Sequence, residues 1–155
     1  MSEQEETPRE IVEELLDRLV EAMDLDGEIE VVDDGETITG TVHGDEVGLL
    51  IGHHGQTIDA IQHLALRMVH GDGHRPARRV IIDAGGYRER RREALVGMAD
   101  DAADEALRLD RAVPLDPMSA GERRIVHEHL RDRDGIETYS EGEEPDRRLV
   151  VEPSA

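Results

Sequence analysis

Two histidines stand between two glycines in the stretch LLIGHHGQTIDAIQHL, residues 49–64. Apolar residues precede Gly52, and an amphipathic pattern resumes after Gly55. Such an interruption predicts one of three things: a metal site, a plain turn, or a place where a ligand lies close against the protein backbone. Glycine suits the third because it has no side chain to hold a ligand away.

A second pair of residues with chemical potential, Arg123 and His127, lies four positions apart in SAGERRIVHEHL. Four residues make about one helical turn, so both side chains are predicted on one face of a helix. A guanidinium and an imidazole on one face can bind phosphate together, or each can pair only with nearby acids. Arg147 and Arg148, near the C-terminus, either add phosphate contacts or merely flank a strand.

The histidines also raise the question of metal chemistry. Candidate zinc ligands are His53, His54, His70 and His74, together with HEH at 127–129. We expect no metal or cofactor, because adjacent histidines are expected to point in divergent directions and no HExxH motif is present. Cysteine is absent, so thiolate zinc sites and disulfides are excluded. With no Walker loop, no complete dinucleotide fingerprint and no evident Ser-His-Asp set, the sequence predicts no enzyme.

Charge is distributed unevenly along this chain, whose formal net charge is -20. Residues 1–50 have a net charge of -15 and residues 93–155 of -9, whereas residues 52–92 carry 8 arginines and 4 acids, net +4. The basic segment therefore adjoins GHHG. Its last arginines are predicted to bridge the two candidate sites: Arg88, Arg90, Arg91 and Arg92. Two tyrosines and no other large aromatic residue disfavour modules that stack bases on rings.

The first half of the chain is predicted to alternate helices and strands. Thr7, Pro8 and Glu10 form the signature of a capping box that opens a helix, which Gly27 ends. A hairpin turns at Asp34-Gly35. A short helix capped by Asp45 precedes GHHG, and a second helix follows it with one apolar face: Ile58, Ile61, Ala65 and Met68. RRVIIDA, residues 78–84, is apolar enough to be a central strand.

The second half begins with a long helix from Tyr87. Its predicted apolar stripe comprises Leu95, Met98, Ala102 and Leu109. Pro114 and Pro117 bracket a short extended piece, and a second capping box at Ser119 and Glu122 opens the helix that carries Arg123 and His127. Two strands surround the loop EGEEP. The predicted fold class is α+β.

Residues 8–84, read as helix-strand-strand-helix-GxxG-helix-strand, resemble a bacterial KH domain. In that family the GxxG loop clamps single-stranded nucleic acid, and amide groups at the start of the following helix meet phosphate. The resemblance assigns RNA binding to Gly52, His53, His54, Gly55, Gln56 and Thr57. The usual pattern has Lys or Arg between the glycines, so the two histidines are a departure from it.

Residues 86–152 resemble the Arg-xxx-His domain, a small module that binds single-stranded nucleic acid. The resemblance rests on PM before the cap, ERR, His127, and SEGEEPDRR before the final strand. It assigns binding to Arg123, Arg124, His127, Arg147 and Arg148, and it allows the Arg-His pair to contact phosphate or to hold the helix against the sheet.

A KH domain followed by GYRERRREAL and an Arg-xxx-His domain resembles the bacterial Jag family, also called KhpB or EloR, in a short form without an extra N-terminal domain. The resemblance implies a single-stranded RNA-binding protein in post-transcriptional control of cell elongation and division, often paired with a small single-KH partner protein. The alternative is an acidic protein-interaction scaffold. Without a signal peptide or a membrane-spanning apolar run, the chain is expected to be cytoplasmic.

Overall fold

The structure of the protein, a computed structural model, describes residues 5–73 and 76–155. His74, one of the candidate zinc ligands, lies outside the described residues. The chain divides into two compact units, Met1–Arg88 and Glu89–Ala155. Both units combine helices with a three-stranded sheet, which confirms the predicted α+β class.

The first unit has the predicted order of elements. They are α1 Pro8–Ala22, β1 Glu28–Asp33, β2 Thr37–His43, α2 Gly48–Ile51, a 3₁₀ turn His53–Gly55, α3 Gln56–His70 and β3 Arg79–Ala84. The sheet order is β1-β2-β3, with β1 antiparallel and β3 parallel to β2.

Buried aliphatic side chains from α1, α3 and the sheet form the core of the first unit. Gly40 on β2 lets α1 approach closely, because a Cβ atom there would lie 2.7 Å from Leu16 Cδ1. Leu16, Ile38, Ile58 and Ile82 are almost fully buried in this core. The start of α3 is thereby fixed on a rigid support, which is what a binding site needs.

The capping box at the start of α1 is confirmed, but the predicted end at Gly27 is wrong. Thr7 Oγ1 accepts from the Glu10 N–H, and Glu10 Oε2 accepts from the Thr7 N–H over 2.8 Å. The helix ends at Ala22 because Asp24 takes a left-handed conformation, φ 51°. The Leu25 N–H then donates to Val20 O, which closes a Schellman-type end without glycine.

Two predictions for the helices around GHHG are also wrong. The N-cap of α2 is Val47 rather than Asp45, and no side chain caps that helix. On α3, Ile58, Ile61 and Ala65 face the core as predicted, but the fourth buried position is Val69. Met68 is 42% exposed, because the helical period of 3.6 residues turns it away from the sheet.

β3 lies at an edge of the sheet, although its apolar sequence predicted a central strand. Only Val80, Ile82 and Ala84 are buried, since the helices cover one face of the strand. Side chains occupy its open edge at one point. The Ile82 N–H donates to Gln62 Oε1 over 2.9 Å, and the Ile82 carbonyl accepts from Arg88 Nε over 2.7 Å.

The remaining elements are α4 Tyr87–Leu109, β4 Val113–Pro114, α5 Ala120–Leu130, β5 Ile136–Glu141 and β6 Arg148–Pro153. The first two residues of α4 belong to the first unit. The second sheet is antiparallel with the order β4-β6-β5. Within the described parts of the chain, no helix is long and apolar enough to cross a membrane.

Alanine, rather than methionine and leucine, forms most of the buried stripe of α4. Leu95 and Ala102 are buried as predicted, but Met98 is only half-buried and Leu109 is 39% exposed. The buried set is completed by Ala99, Ala103 and Ala106. Because these residues are small, α4 can pack closely in the hydrophobic core of the second unit.

One of the two hydrogen bonds of the second capping box is formed. Ser119 Oγ accepts from the Glu122 N–H, as predicted. The Glu122 carboxylate accepts from Arg91 Nε over 2.7 Å, so it is directed to α4 rather than back to the N-cap.

Candidate nucleic-acid interface

The two glycines of the GHHG turn, residues 52–55, have conformations that disfavour any side chain. Gly52 has φ 71° and Gly55 has φ 77°. A Cβ atom on Gly52 would lie 2.1 Å from Thr57 Oγ1, and one on Gly55 would lie 2.6 Å from the Tyr87 hydroxyl oxygen. Internal packing therefore requires both glycines, independently of any ligand.

His53 and His54 are exposed, and their rings stack with centroids 3.9 Å apart and an angle of 25° between planes. The expectation that these side chains diverge is wrong. His54 has left-handed backbone angles, φ 52° and ψ 29°. These angles bend the chain so that the two rings stack on each other. Among residues 5–73 and 76–155, no three His, Asp or Glu side chains cluster as potential metal ligands.

The N-terminus of α3 follows directly after the stacked histidines. Gly55 is its N-cap. The first N–H groups of a helix have no acceptor within the helix, and a glycine cap offers no side-chain oxygen to them. The Gln56 N–H donates to His53 O, which closes the turn. The amides that follow, beginning with Thr57, lie at the positive end of a 15-residue helix, where anions bind favourably.

Arg88 neutralises the one carboxylate in the first turn of α3. Its Nη1 donates to Asp59 Oδ1 over 2.9 Å, and its Nη2 donates to Gln62 Oε1 over 2.9 Å. Arg88, like Arg91 with Glu122, thus has partners within its own unit. The arginine bridge between the two sites stays a prediction. Arg88 and Arg91, two of its proposed members, already form ion pairs with Asp59 and Glu122.

In the second unit, Arg123 is a buried cation. Only 7% of the residue is exposed. Nη1 donates to Met118 O over 2.7 Å and to Arg147 O over 3.4 Å, and Nη2 donates to Glu144 Oε1 over 2.6 Å. These bonds connect the segment before α5 with the loop between β5 and β6. The Arg-His resemblance allows the pair either to contact phosphate or to hold the helix in place. These bonds correspond to the second, structural role.

His127 is exposed on α5, and its Nδ1 lies 2.5 Å from Thr138 Oγ1 on β5. It lies in a shallow open depression, here called the α5 depression. The lining residues are Ala120, Arg123, Arg124, His127, Thr138, Tyr139, Ser140, Arg147 and Leu149. The structure thus brings together Arg124, His127 and Arg147, which are separated by up to 23 positions in the sequence.

The exposed arginines around the α5 depression have local acceptors. Arg124 Nε donates to Glu128 Oε1 over 2.8 Å, and this hydrogen bond lowers the pKa of Glu128 and raises the pKa of Arg124. Arg147 Nη1 donates to Gly142 O over 2.7 Å. Arg148 pairs with Glu141 across the β5-β6 ladder and does not line the depression.

Three contacts in these sites were not identified from sequence. Tyr87 covers Gly55, Arg88 binds Asp59, and Thr138 contacts His127. The first two residues follow a Gly-Gly pair and belong to the motif GYRERRREAL, whose arginines were expected only to bridge the two sites. No spacing in the sequence indicates that Thr138 meets a histidine eleven positions earlier.

Comparisons with known families place both units. Residues 9–82 match the family model described as "KhpA/KhpB, KH domain", and residues 93–153 match the family model of the Arg-xxx-His domain.

Named relatives match between two thirds and nearly all of the chain. A protein of Clostridium symbiosum named RNA-binding protein KhpB is 34% identical over 152 residues, which cover 97% of this chain and 68% of that protein. Its namesake in Bacillus subtilis is 33% identical over 141 residues, covering 88% of this chain and 66% of that protein. The protein of the same name in Lactiplantibacillus plantarum is 42% identical over 106 residues, which cover 67% of this chain and 32% of that protein. The chain therefore belongs to the Jag/KhpB family, with a KH domain followed by an Arg-xxx-His domain.

Proposed function

We propose that this protein binds single-stranded RNA and does so without catalysis. The observation that carries the proposal is the stacked, exposed His53-His54 pair directly before the glycine-capped N-terminus of α3. A phosphate there meets backbone amides and imidazole N–H donors at the positive end of a helix. Membership of a family whose matched relatives are named RNA-binding proteins supports the same ligand.

The GHHG turn provides contacts to backbone phosphates rather than base recognition. The Thr57 N–H and the rings of His53 and His54 are the proposed donors, while the Gln56 N–H closes the turn by donating to His53 O. Gly52 and Gly55 hold the turn in the required conformation. A KH loop of this kind clamps about four nucleotides.

The α5 depression is the proposed second contact with RNA. Arg124, His127 and Arg147 are its contact residues, because their side chains are the exposed or half-exposed cationic and imidazole groups of the lining. The buried Arg123 holds the loop that carries Arg147 in place, through its hydrogen bonds to Arg147 O and Glu144 Oε1. Arg148 is a proposed phosphate contact by the family resemblance alone, because it pairs with Glu141 and lies outside the lining.

The wider biological role is proposed from the family resemblance. We assign residues 8–84 to the KH domain and residues 86–152 to the Arg-xxx-His domain. The protein acts in the cytoplasm as a post-transcriptional regulator linked to cell elongation and division, with a small single-KH protein as its partner.

An acidic scaffold that binds proteins instead of RNA is the competing function. Its support is the exposed carboxylate cluster around the first turns of α1, comprising Glu5, Glu6, Glu10, Glu13, Glu14 and Asp17. Such a surface repels RNA and favours basic protein partners.

Salt dependence of binding separates the two functions. The full chain is titrated against a fluorescent single-stranded RNA of about 12 nucleotides at several salt concentrations, with duplex RNA as the control. Phosphate binding predicts that log K falls with log salt concentration, with a slope of about -0.7 for each phosphate that a cationic side chain neutralises. Absence of RNA binding at low salt, or equal affinity for the duplex, contradicts the proposal.

A further inference from the structure

The start of α4 extends the KH site beyond the residues that the KH family model matches. We propose that Tyr87 and Arg88 are positioning residues of the RNA site: Tyr87 holds the GHHG turn in its binding conformation, and Arg88 cancels the negative charge of Asp59 beside the phosphate site. This inference rests on the proposed RNA binding by the turn.

Tyr87 occupies the space beside Gly55 that a side chain would fill. An added Cβ atom on Gly55 would lie 2.6 Å from both Cε1 and the hydroxyl oxygen of Tyr87. Gly55 is buried, has φ 77°, and is at once the last residue of the turn and the N-cap of α3. The Tyr87 ring therefore packs on the residue at which the chain passes from the histidines to the phosphate-binding amides.

Arg88 fixes this contact to the rest of the unit. Its backbone N–H donates to Asp83 Oδ1 over 3.2 Å, and Nε donates to Ile82 O over 2.7 Å. These bonds attach the first turn of α4 to β3, while Nη2 attaches it to Gln62 on α3. The ring of Tyr87 is thus held by the adjacent residue as well as by its own packing.

The ion pair of Arg88 with Asp59 has an electrostatic consequence. Asp59 lies in the first turn of α3, its side chain is 51% exposed, and its charge opposes the binding of an anion at that helix end. Arg88 Nη1, 2.9 Å from Asp59 Oδ1, compensates that charge. Loss of Arg88 leaves a negative charge close to the phosphate site, and a unit charge at a distance of roughly 7 Å in a partly solvated site changes affinity by about three- to ten-fold.

The experiment measures RNA affinity of the full chain by fluorescence anisotropy, with a single-stranded RNA of about 12 randomised nucleotides as the probe. The first set of variants is R88Q, D59N and the double variant D59N/R88Q. R18Q is the matched control, because Arg18 forms a 2.5 Å ion pair with Glu14 on α1 of the same unit, and its loss removes the same charge. R88K keeps the positive charge but does not reproduce the side-chain hydrogen bonds of Arg88 to Ile82 O, Asp59 and Gln62.

We expect R88Q to bind RNA about three- to ten-fold more weakly than R18Q, and D59N/R88Q to recover most of the loss. R88K should lie near wild type. Recovery in the double variant distinguishes charge compensation from a merely structural role, since removing Asp59 cannot restore the Arg88 bonds to β3. If D59N/R88Q binds as weakly as R88Q, or if R88Q binds like R18Q, the role of Arg88 is wrong.

The second set tests Tyr87. Y87F keeps the ring on Gly55 and should bind RNA like wild type, whereas Y87A should bind about ten-fold more weakly, the cost of losing a preorganised loop contact. Amide hydrogen exchange at Gln56, whose N–H donates to His53 O within the turn, should accelerate in Y87A while the core amides of α1 remain protected. Unchanged exchange and affinity in Y87A, with the chain folded by circular dichroism, overturn the role of Tyr87.

The double variant H53D/H54D separates this inference from the proposed function. If H53D/H54D loses RNA binding while R88Q and Y87A bind normally, the turn binds RNA and only the positioning roles fail. If H53D/H54D binds RNA as wild type does, the turn is not the RNA site and the positioning inference fails with it.

Discussion

The guanidinium of Arg123 on α5 donates over 2.6 Å to Oε1 of Glu144, which lies 21 positions away in the loop between β5 and β6. The same guanidinium binds the carbonyl oxygens of Met118 and Arg147. A cation this deeply buried is costly unless its donors are satisfied, and here the acceptors surround it. Arg123 therefore organises the α5 depression, while its neighbour Arg124, whose side chain is 78% exposed, faces solvent.

Substitution of these two neighbouring arginines should separate stability from binding. R123A removes the Arg123 donor from Met118 O and the Glu144 carboxylate, while Arg147 O keeps only its bond from the Met118 N–H. We expect this to lower the free energy of unfolding by about 2–4 kcal/mol. R124A should change stability by less than about 0.5 kcal/mol and weaken RNA binding. Urea unfolding followed by circular dichroism, together with RNA titration, measures both. Equal stability of the two variants would contradict the structural role of Arg123.

Thr138 should matter for RNA binding through the orientation of His127. T138V keeps the shape of the side chain but removes the oxygen 2.5 Å from His127 Nδ1. We expect a loss of affinity of about five-fold, since one neutral hydrogen bond contributes about 1 kcal/mol. T138S, which restores the hydroxyl, is the control. If T138V and T138S bind RNA equally well, the ring of His127 needs no such support.

Glu10 should make the stability of the first unit depend on pH. Hydrogen bonds from the Thr7 backbone N–H and hydroxyl lower the pKa of Glu10 in the folded protein. Because the folded-state pKa is below the unfolded value, this contribution is complete above about pH 4.5 and disappears as pH falls through the folded-state pKa. The difference in Tm between wild type and E10Q should therefore be larger at pH 7 than near pH 3. A pH-independent difference would show that the carboxylate charge is irrelevant.

Local rules explain why much of the fold could be predicted. The capping residues Thr7 and Ser119, the Asp34-Gly35 turn and the order of elements follow from signals within a few residues. The end of α1 was missed because Asp24 rather than glycine takes the left-handed position. β3 was misplaced because burial on one face by helices gives an apolar strand even at an edge.

The candidate sites were only partly predictable for a different reason. GHHG and Arg123/His127 were found because each is a short motif. The role of Tyr87 at Gly55, the neutralisation of Asp59 by Arg88 and the burial of Arg123 depend on contacts between residues 21 to 32 positions apart. Sequence spacing does not encode such contacts, and charge counts do not distinguish an engaged arginine from a solvent-facing one.

The two units should bind one RNA strand more tightly together than apart. Linkage makes the second contact intramolecular, which raises affinity by up to about 10²-fold for a well-matched connection. Residues 1–88, residues 89–155 and the full chain are titrated with one single-stranded RNA long enough for both sites, after each fragment is shown to be folded by circular dichroism. If residues 1–88 bind as tightly as the full chain, the second unit has a structural or protein-binding role.

The most direct test of the account is RNA titration of H53D/H54D in the full chain. Both histidines are exposed, and aspartate tolerates the left-handed backbone of residue 54, so stability should change by less than about 0.5 kcal/mol. The control H43D/A112D adds two carboxylates at exposed positions outside the turn. We predict that H53D/H54D binds RNA no more tightly than residues 89–155 alone, while H43D/A112D binds like wild type. RNA affinity equal to wild type in a folded H53D/H54D variant would contradict the assignment of the GHHG turn as the RNA site.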